Sequence, residues 1–255
     1  WPFYNTWLIQ QRGISAGIHH LLVRLEPTAP WNLVAGFIKY REQLAAMNDY
    51  VEDFKKVAPL DNFHDKFSGD PTTLVLVIGE STNRNRMQLY GYPRKTTPNL
   101  SNIANELMVF TDVVTSRPYT IEALQQAFSF ADSKSIDRFM NEPNLIAIMK
   151  QAGYDVTWIT NQQTQTRRNT LLTTFSRMAD HQIYLNNNRT QNADQYDGAV
   201  LNPLSEALES KTDKKLIIVH LLGTHRKYTY RYPENFNKFI TAKGAPDWVT
   251  DSHIS

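Results

Sequence analysis

Apolar runs alternate with amphipathic stretches along most of the chain. Leu74-Val75-Leu76-Val77-Ile78 is apolar without interruption, which predicts a strand buried on both faces. Met108 to Val114, Tyr154 to Ile159 and Leu216 to Leu222 are further short runs of this kind and predict three more strands. Residues 121–130, 144–152 and 201–209 carry the 3.6-residue pattern of amphipathic helices, and Gly153 is placed to end the second. Strands and helices in alternation predict an α/β domain with a mostly parallel sheet and helices on both faces. In such sheets, sites gather outside the carboxyl ends of the strands.

The first seventy residues read differently. Trp1, Phe3, Tyr4, Trp7, Leu8 and Ile9 crowd the start, followed by Ile14, Ile18, Leu21, Leu22 and Leu25. Dense aromatics suit either a membrane–water interface or a segment docked on a core, and both readings stand. Pro27 and Pro30 end this stretch, and residues 31–57 predict a helix with Leu33, Phe37, Leu44, Val51 and Phe54 on one stripe. A polar connector with Pro59, Gly69 and Pro71 follows. The organisation is therefore 1–30, a membrane-proximal interfacial segment; 31–71, a linking helix and connector; and 72–255, the α/β domain.

Composition narrows the function. The 255 residues hold 27 Lys plus Arg against 25 Asp plus Glu, a net charge of +2 without the concentrated basic patch of a nucleic-acid binder. With no cysteine, disulfide scaffolds, thiolate metal sites and cysteine nucleophiles are excluded. No apolar run is long enough to cross a bilayer. The opening at Trp1 suggests a piece of a longer protein, with any anchor upstream.

Three strand ends carry candidate chemistry. Glu80 follows the first strand in Gly79-Glu80-Ser81, placed either as an oxygen ligand to a cation or as a first-turn helix acid. Thr115-Ser116-Arg117-Pro118-Tyr119-Thr120 directly precedes a predicted helix. A hydroxyl there is either an ordinary N-cap or a nucleophile facing the helix dipole. The strand 216–222 contains His220, placed as a core histidine, and leads into Gly223-Thr224-His225-Arg226-Lys227, where His225 is the better ligand candidate. A phosphate-bearing substrate would find His225, Arg226, Lys227 and Arg231 near one another in sequence, which does not by itself bring them together in space. Lys214-Lys215 reads as a solvated pair.

LVLVIGES at 74–81, LYGYPRKTTPNL at 89–100, VVTSRPYT at 113–120, NLIAIMKQAGYDVTWITNQ at 144–162 and HLLGTHRKYTYRYP at 220–233 occur in this order. Together they resemble the catalytic domain of bacterial lipopolysaccharide phosphoethanolamine transferases, of the inner-core heptose-modifying type, over about residues 72–240. The resemblance implies an alkaline phosphatase/sulfatase-like fold and a zinc-dependent transfer of phosphoethanolamine from phosphatidylethanolamine to the lipopolysaccharide core. It implies that Glu80 and Thr120 bind Zn2+, that Thr120 is the nucleophile, that His225 lies near the substrate phosphate, and that Asn144 contributes to the donor pocket. Thr115 and Ser116 are the fallback hydroxyls. It also implies placement at the bacterial inner membrane facing the periplasm, with an upstream transmembrane region.

Members of that family complete their zinc site with an Asp-His pair in a DHGE-like motif. Asp180-His181 precedes the GTH triplet and Asp251-Ser252-His253 is not such a pair. The expectation is a C-terminally incomplete domain whose zinc site lacks ligands and which is inactive by itself. The alternatives are a sulfatase-like or phosphodiesterase-like hydrolase, or a non-catalytic module that binds lipid or lipopolysaccharide through residues 225–231.

Overall fold

Strand β1, Thr72–Ile78, realises the first apolar run, and the run at 154–159 extends into β2, Asp155–Gln163. The run at 216–222 becomes β4, Lys214–His220, while β3, His181–Asn186, was not expected from the sequence. The four strands form a wholly parallel sheet in the order β1-β4-β2-β3. All their carboxyl ends therefore lie along one edge. This computed structural model describes residues 2–15, 17, 37, 41, 45, 48–49, 51–115, 117–136, 138–163, 170–187 and 193–239.

The chain divides into two compact units, residues 1–50 and 51–255. In the first, α1 spans Pro2–Arg12, with Arg12 favourably placed at the negative end of the helix dipole. No helix among the described residues is long and apolar enough to cross a membrane. Most of the helix predicted over 31–57 lies outside the described residues; its end, 51–56, is helical.

In the second unit the helices are α2 (Pro98–Asn102), α3 (Thr120–Ala127), α4 (Arg138–Asn141), α5 (Leu145–Gln151), α6 (Thr170–Met178) and α7 (Leu201–Leu208). Helices α3 to α6 pack on one face of the sheet. Leu124, Phe128, Phe139, Ile146 and Phe175 meet Val156, Trp158, Leu216 and Ile218 there. The Phe128 ring lies 5.7 Å from Trp158 and 5.5 Å from Phe175, an aromatic cluster that binds α3 and α6 to β2. Helix α7 covers the opposite face through Leu204 and Ala207 against Ile159, Ile217 and Val219.

Three expectations need correction. Residues 108–114 form no strand, and Met108, Phe110, Val113 and Val114 are exposed. The run has β-propensity, but among the described residues no strand pairs with it. Strand β1 is not buried on both faces: Leu76 and Ile78 pack inward, while Val75 and Val77 are 43% and 56% exposed. Among the described residues β1 pairs with β4 alone, and α7 sits over β4 and β2 rather than over β1. Lys214 and Lys215 are not a solvated pair. Lys215 is buried and donates to the carbonyls of Leu208 and Ser210 at 2.7 and 2.9 Å, which caps the end of α7. Lys214 pairs with Asp65, donates to the Ala152 carbonyl at 2.6 Å and lies over the Tyr154 ring.

Candidate active site

The parallel sheet brings the ends of β1, β4 and β2 side by side. Glu80, two residues beyond β1, is 7% exposed. No full helix follows it, so it is not a first-turn acid; only a single 3-10 turn begins at Arg84. Ser81 next to it adopts φ +50°, a left-handed conformation costly for a residue with a Cβ. That turn lets the Ser81 hydroxyl donate to Glu80 Oε1 at 2.9 Å.

Thr120 opens α3 as its first helical residue, after Tyr119 at the N-cap position, so its hydroxyl is not spent on capping. It donates instead to Glu80, 3.0 Å from Oε2 and 3.2 Å from Oε1. Thr115, the fallback, turns away: its hydroxyl donates to the Arg117 carbonyl at 2.9 Å. Ser116 lies outside the described residues. The sequence candidates Glu80 and Thr120 are thus brought together.

The loop after β4 closes on the backbone of the same residue. Thr224 donates its hydroxyl to the Glu80 backbone carbonyl. Asp197, which the sequence reading did not single out, accepts from the backbone N–H groups of Leu222 and Gly223 at 2.8 and 2.6 Å. It also accepts from Asn161 Nδ2 at 2.8 Å. Gln162, also missed, donates to the Leu221 carbonyl at 2.6 Å and to Glu80 Oε2 at 3.3 Å.

His225 lies in this loop, and its Nδ1 is buried without a hydrogen-bond partner. Burial pushes the imidazole below its ordinary pKa, with the Glu80 charge partly opposing. His220 is wholly buried against Trp158, as the core-histidine reading expected. Asn144 has no exposed surface; it caps α5 by accepting from the Ala147 N–H at 3.1 Å, and its Nδ2 approaches Met178 Sδ at 3.2 Å. The structure does not bring it to the Glu80–Thr120 pair. Arg231 is engaged too, donating to the Ala193 carbonyl at 3.1 Å.

Glu80 and Thr120 open onto a cleft of about 860 Å³, with Arg84, Arg117, Asn83 and Tyr119 in its walls. Arginines there offer flat, multi-donor contacts to a phosphate. Ser81, Thr120 and Gln162, all neutral donors, hydrogen-bond to the Glu80 carboxylate. A buried carboxylate without a counter-charge is costly, and a divalent cation between Glu80 and Thr120 would relieve it. Among the described residues no three acidic or histidine side chains assemble into a metal cluster, so this pair fits as two ligands of a set.

The chain is 52% identical to phosphoethanolamine transferase EptC of Escherichia coli (strain K12) over 241 residues, 93% of this chain and 42% of the relative. It is equally similar to phosphoethanolamine transferase CptA of Salmonella typhimurium, with the same coverage. The chain therefore spans less than half the length of these curated relatives. The crystal structure of the C-terminal periplasmic domain of EcEptC from Escherichia coli, in complex with Zn, superposes with a TM-score of 0.73 at 54% identity, covering 78% of this chain and 58% of that one. A protein of the alkaline phosphatase superfamily from Vibrio parahaemolyticus shares the fold at 18% identity, with a TM-score of 0.55 over 82% of this chain and 55% of that one. With residues 72–248 matching the Sulfatase family, the chain belongs to that family.

Proposed function

We propose that this chain carries the nucleophile of a phosphoethanolamine transferase acting on lipopolysaccharide, with phosphatidylethanolamine as donor and a core heptose as acceptor. The hydroxyl of Thr120, held 3.0 and 3.2 Å from the two Glu80 oxygens, carries the reading. The similarity to EptC and CptA supports it.

Thr120 Oγ1 attacks the donor phosphorus, and its proton passes to Glu80 as the new P–O bond forms. The P–O bond to the glycerol breaks, the leaving oxygen takes that proton back from Glu80, and diacylglycerol departs as an alcohol. The phosphoethanolamine then rests on Thr120. In a second step an acceptor hydroxyl gives its proton to Glu80 and attacks the phosphorus; the P–O bond to Thr120 breaks, and its oxygen takes that proton to regenerate the threonine. The N–H groups at the start of α3 offer hydrogen bonds to the phosphate oxygens, and His225 and Arg117 are assigned to the same anion. Glu80 and Thr120 would hold zinc, which would supply Lewis-acid activation of the hydroxyl and charge neutralisation. The Zn complex of the EcEptC domain supports that metal. The same reading places the protein at the inner membrane facing the periplasm, with residues 1–30 near the lipid surface. Asn144 is kept as a donor-pocket contributor through its cap on α5.

Intact-mass spectrometry of the full-length polypeptide that carries this chain, incubated with phosphatidylethanolamine, tests this. One added phosphoethanolamine, absent in Thr120→Ala, is expected. Phosphoethanolamine released to water with no modified sugar would identify a hydrolase instead. No adduct and no turnover would remove the enzymatic reading.

A further inference from the structure

The end of β2 is irregular in a way that serves the site. Thr160 pairs with Tyr184 and Gln163 with Asn186, so three steps along β2 match two along β3. One extra residue is therefore inserted at Asn161-Gln162. A bulge of this kind bends the strand and re-aims its side chains, and such bulges concentrate beside functional sites. Here it turns both carboxamides to use: Asn161 donates to Asp197, and Gln162 reaches over β4 to Glu80.

Gln162 is buried, and its Nε2 carries two N–H donors. They serve the Leu221 carbonyl and Glu80 Oε2. Glu80 Oε1 is held from the other side by Ser81. The plane of the carboxylate is thus fixed at both oxygens, with the Thr120 hydroxyl bridging them. Both Gln162 contacts come from one neutral amide nitrogen.

We propose that Gln162 is a positioning residue for Glu80: it sets the orientation in which the carboxylate and Thr120 share one divalent cation. This rests on the reading that Glu80 is a metal ligand. A glutamine that merely tied β2 to β4 would need the Leu221 contact alone. The second contact, on an oxygen already engaged by the nucleophile, distinguishes the two roles.

Gln162→Met keeps the length of the side chain and removes both donors. On the full-length polypeptide, zinc affinity is measured by competition with a chromophoric chelator, alongside kcat and KM for phosphatidylethanolamine and the thermal midpoint. The zinc dissociation constant should rise roughly 10- to 100-fold, the range for loss of a hydrogen bond that orients a metal ligand. The KM for donor should stay unchanged, and kcat should recover at saturating zinc. A zinc affinity within about twofold of the parent, together with a lowered thermal midpoint, would overturn the proposal in favour of a strand tie. Gln162→Asn retains the amide but is one carbon short of spanning both acceptors, and should give a smaller loss in the same direction. If Gln162→Met does not fold, the Asn variant decides by the same criterion. Glu80→Ala serves as the control. If it leaves zinc affinity intact, the metal reading of Glu80 fails; if it abolishes binding while Gln162→Met does not weaken it, the positioning role alone fails.

Discussion

The hydroxyl of Thr120 bridges the two carboxylate oxygens of Glu80 at 3.0 and 3.2 Å, across forty residues of sequence. The first strand delivers the acid, and the start of α3 delivers the alcohol. Thr120→Ala should lower transfer by at least roughly a thousandfold, as loss of a nucleophile does, without changing the fold. Thr120→Ser keeps the oxygen and should retain activity within about tenfold of the parent, since the attacking group is unchanged. Steady-state transfer to a lipopolysaccharide acceptor, with circular dichroism as the control for folding, measures both.

Asp197 organises the loop after β4. It satisfies the backbone N–H groups of Leu222 and Gly223 and the Asn161 carboxamide, and so shapes the loop that carries Thr224 and His225. Asp197→Ala strands two backbone donors and should cost about 3 kcal/mol of stability, at 1–3 kcal/mol for each buried group left unpaired. Asp197→Asn keeps one acceptor oxygen and should cost about half as much. Urea denaturation at neutral pH reads the difference, and a drop in transfer activity out of proportion to stability would mark the loop as part of the site.

Much of this was legible in order along the chain. The continuous apolar run before Glu80, the helix after Thr120 and the strand before His225 each announced a strand end or helix start, and the parallel sheet then brought those ends together. What stayed hidden depended on partners distant in sequence. Gln162 and Asp197 are ordinary polar residues until a bulge aims the first at Glu80 and the loop after β4 brings its N–H groups to the second. Strand β3 begins with His181 and Gln182, both exposed, and reveals its inward residues Ile183 and Leu185 only when α7's face of the sheet is in place. Met108 to Val114 misled for the converse reason: β-propensity describes a side chain's fit to a pleated surface, and among the described residues this run pairs with no strand. Lys215 looked solvated because a burial site for its ammonium is built by carbonyls at the end of another element.

His220 gives the fold a pH dependence. It is buried beside Trp158, its Nε2 lacks a partner, and burial lowers its pKa from 6.5 to about 4. Between those values the unfolded chain binds a proton that the folded chain refuses, so stability falls as pH drops through this window. The contribution is fully retained above pH 6.5 and lost below pH 4, a change of about 3 kcal/mol. His220→Phe keeps an aromatic ring against Trp158 and removes the proton site. Urea midpoints at pH 7 and pH 4.5 should therefore differ less in the variant than in the parent, and equal differences would show that His220 plays no part.

The open side of β1 makes a prediction about association. Among the described residues β1 hydrogen-bonds only to β4, and Leu74, Val75 and Val77 are 41%, 43% and 56% exposed. An unpaired strand edge flanked by an apolar face is a template for pairing with another chain. These 255 residues expressed alone should therefore self-associate, with scattering that rises with concentration. Val75 lies on the exposed face and outside the Glu80–Thr120 pair, so Val75→Lys places a charge where a second strand or apolar surface would dock. The variant should elute as a smaller species by light scattering coupled to size exclusion while keeping the parent's circular dichroism spectrum. If parent and variant scatter alike at all concentrations, the exposed face of β1 does not drive association.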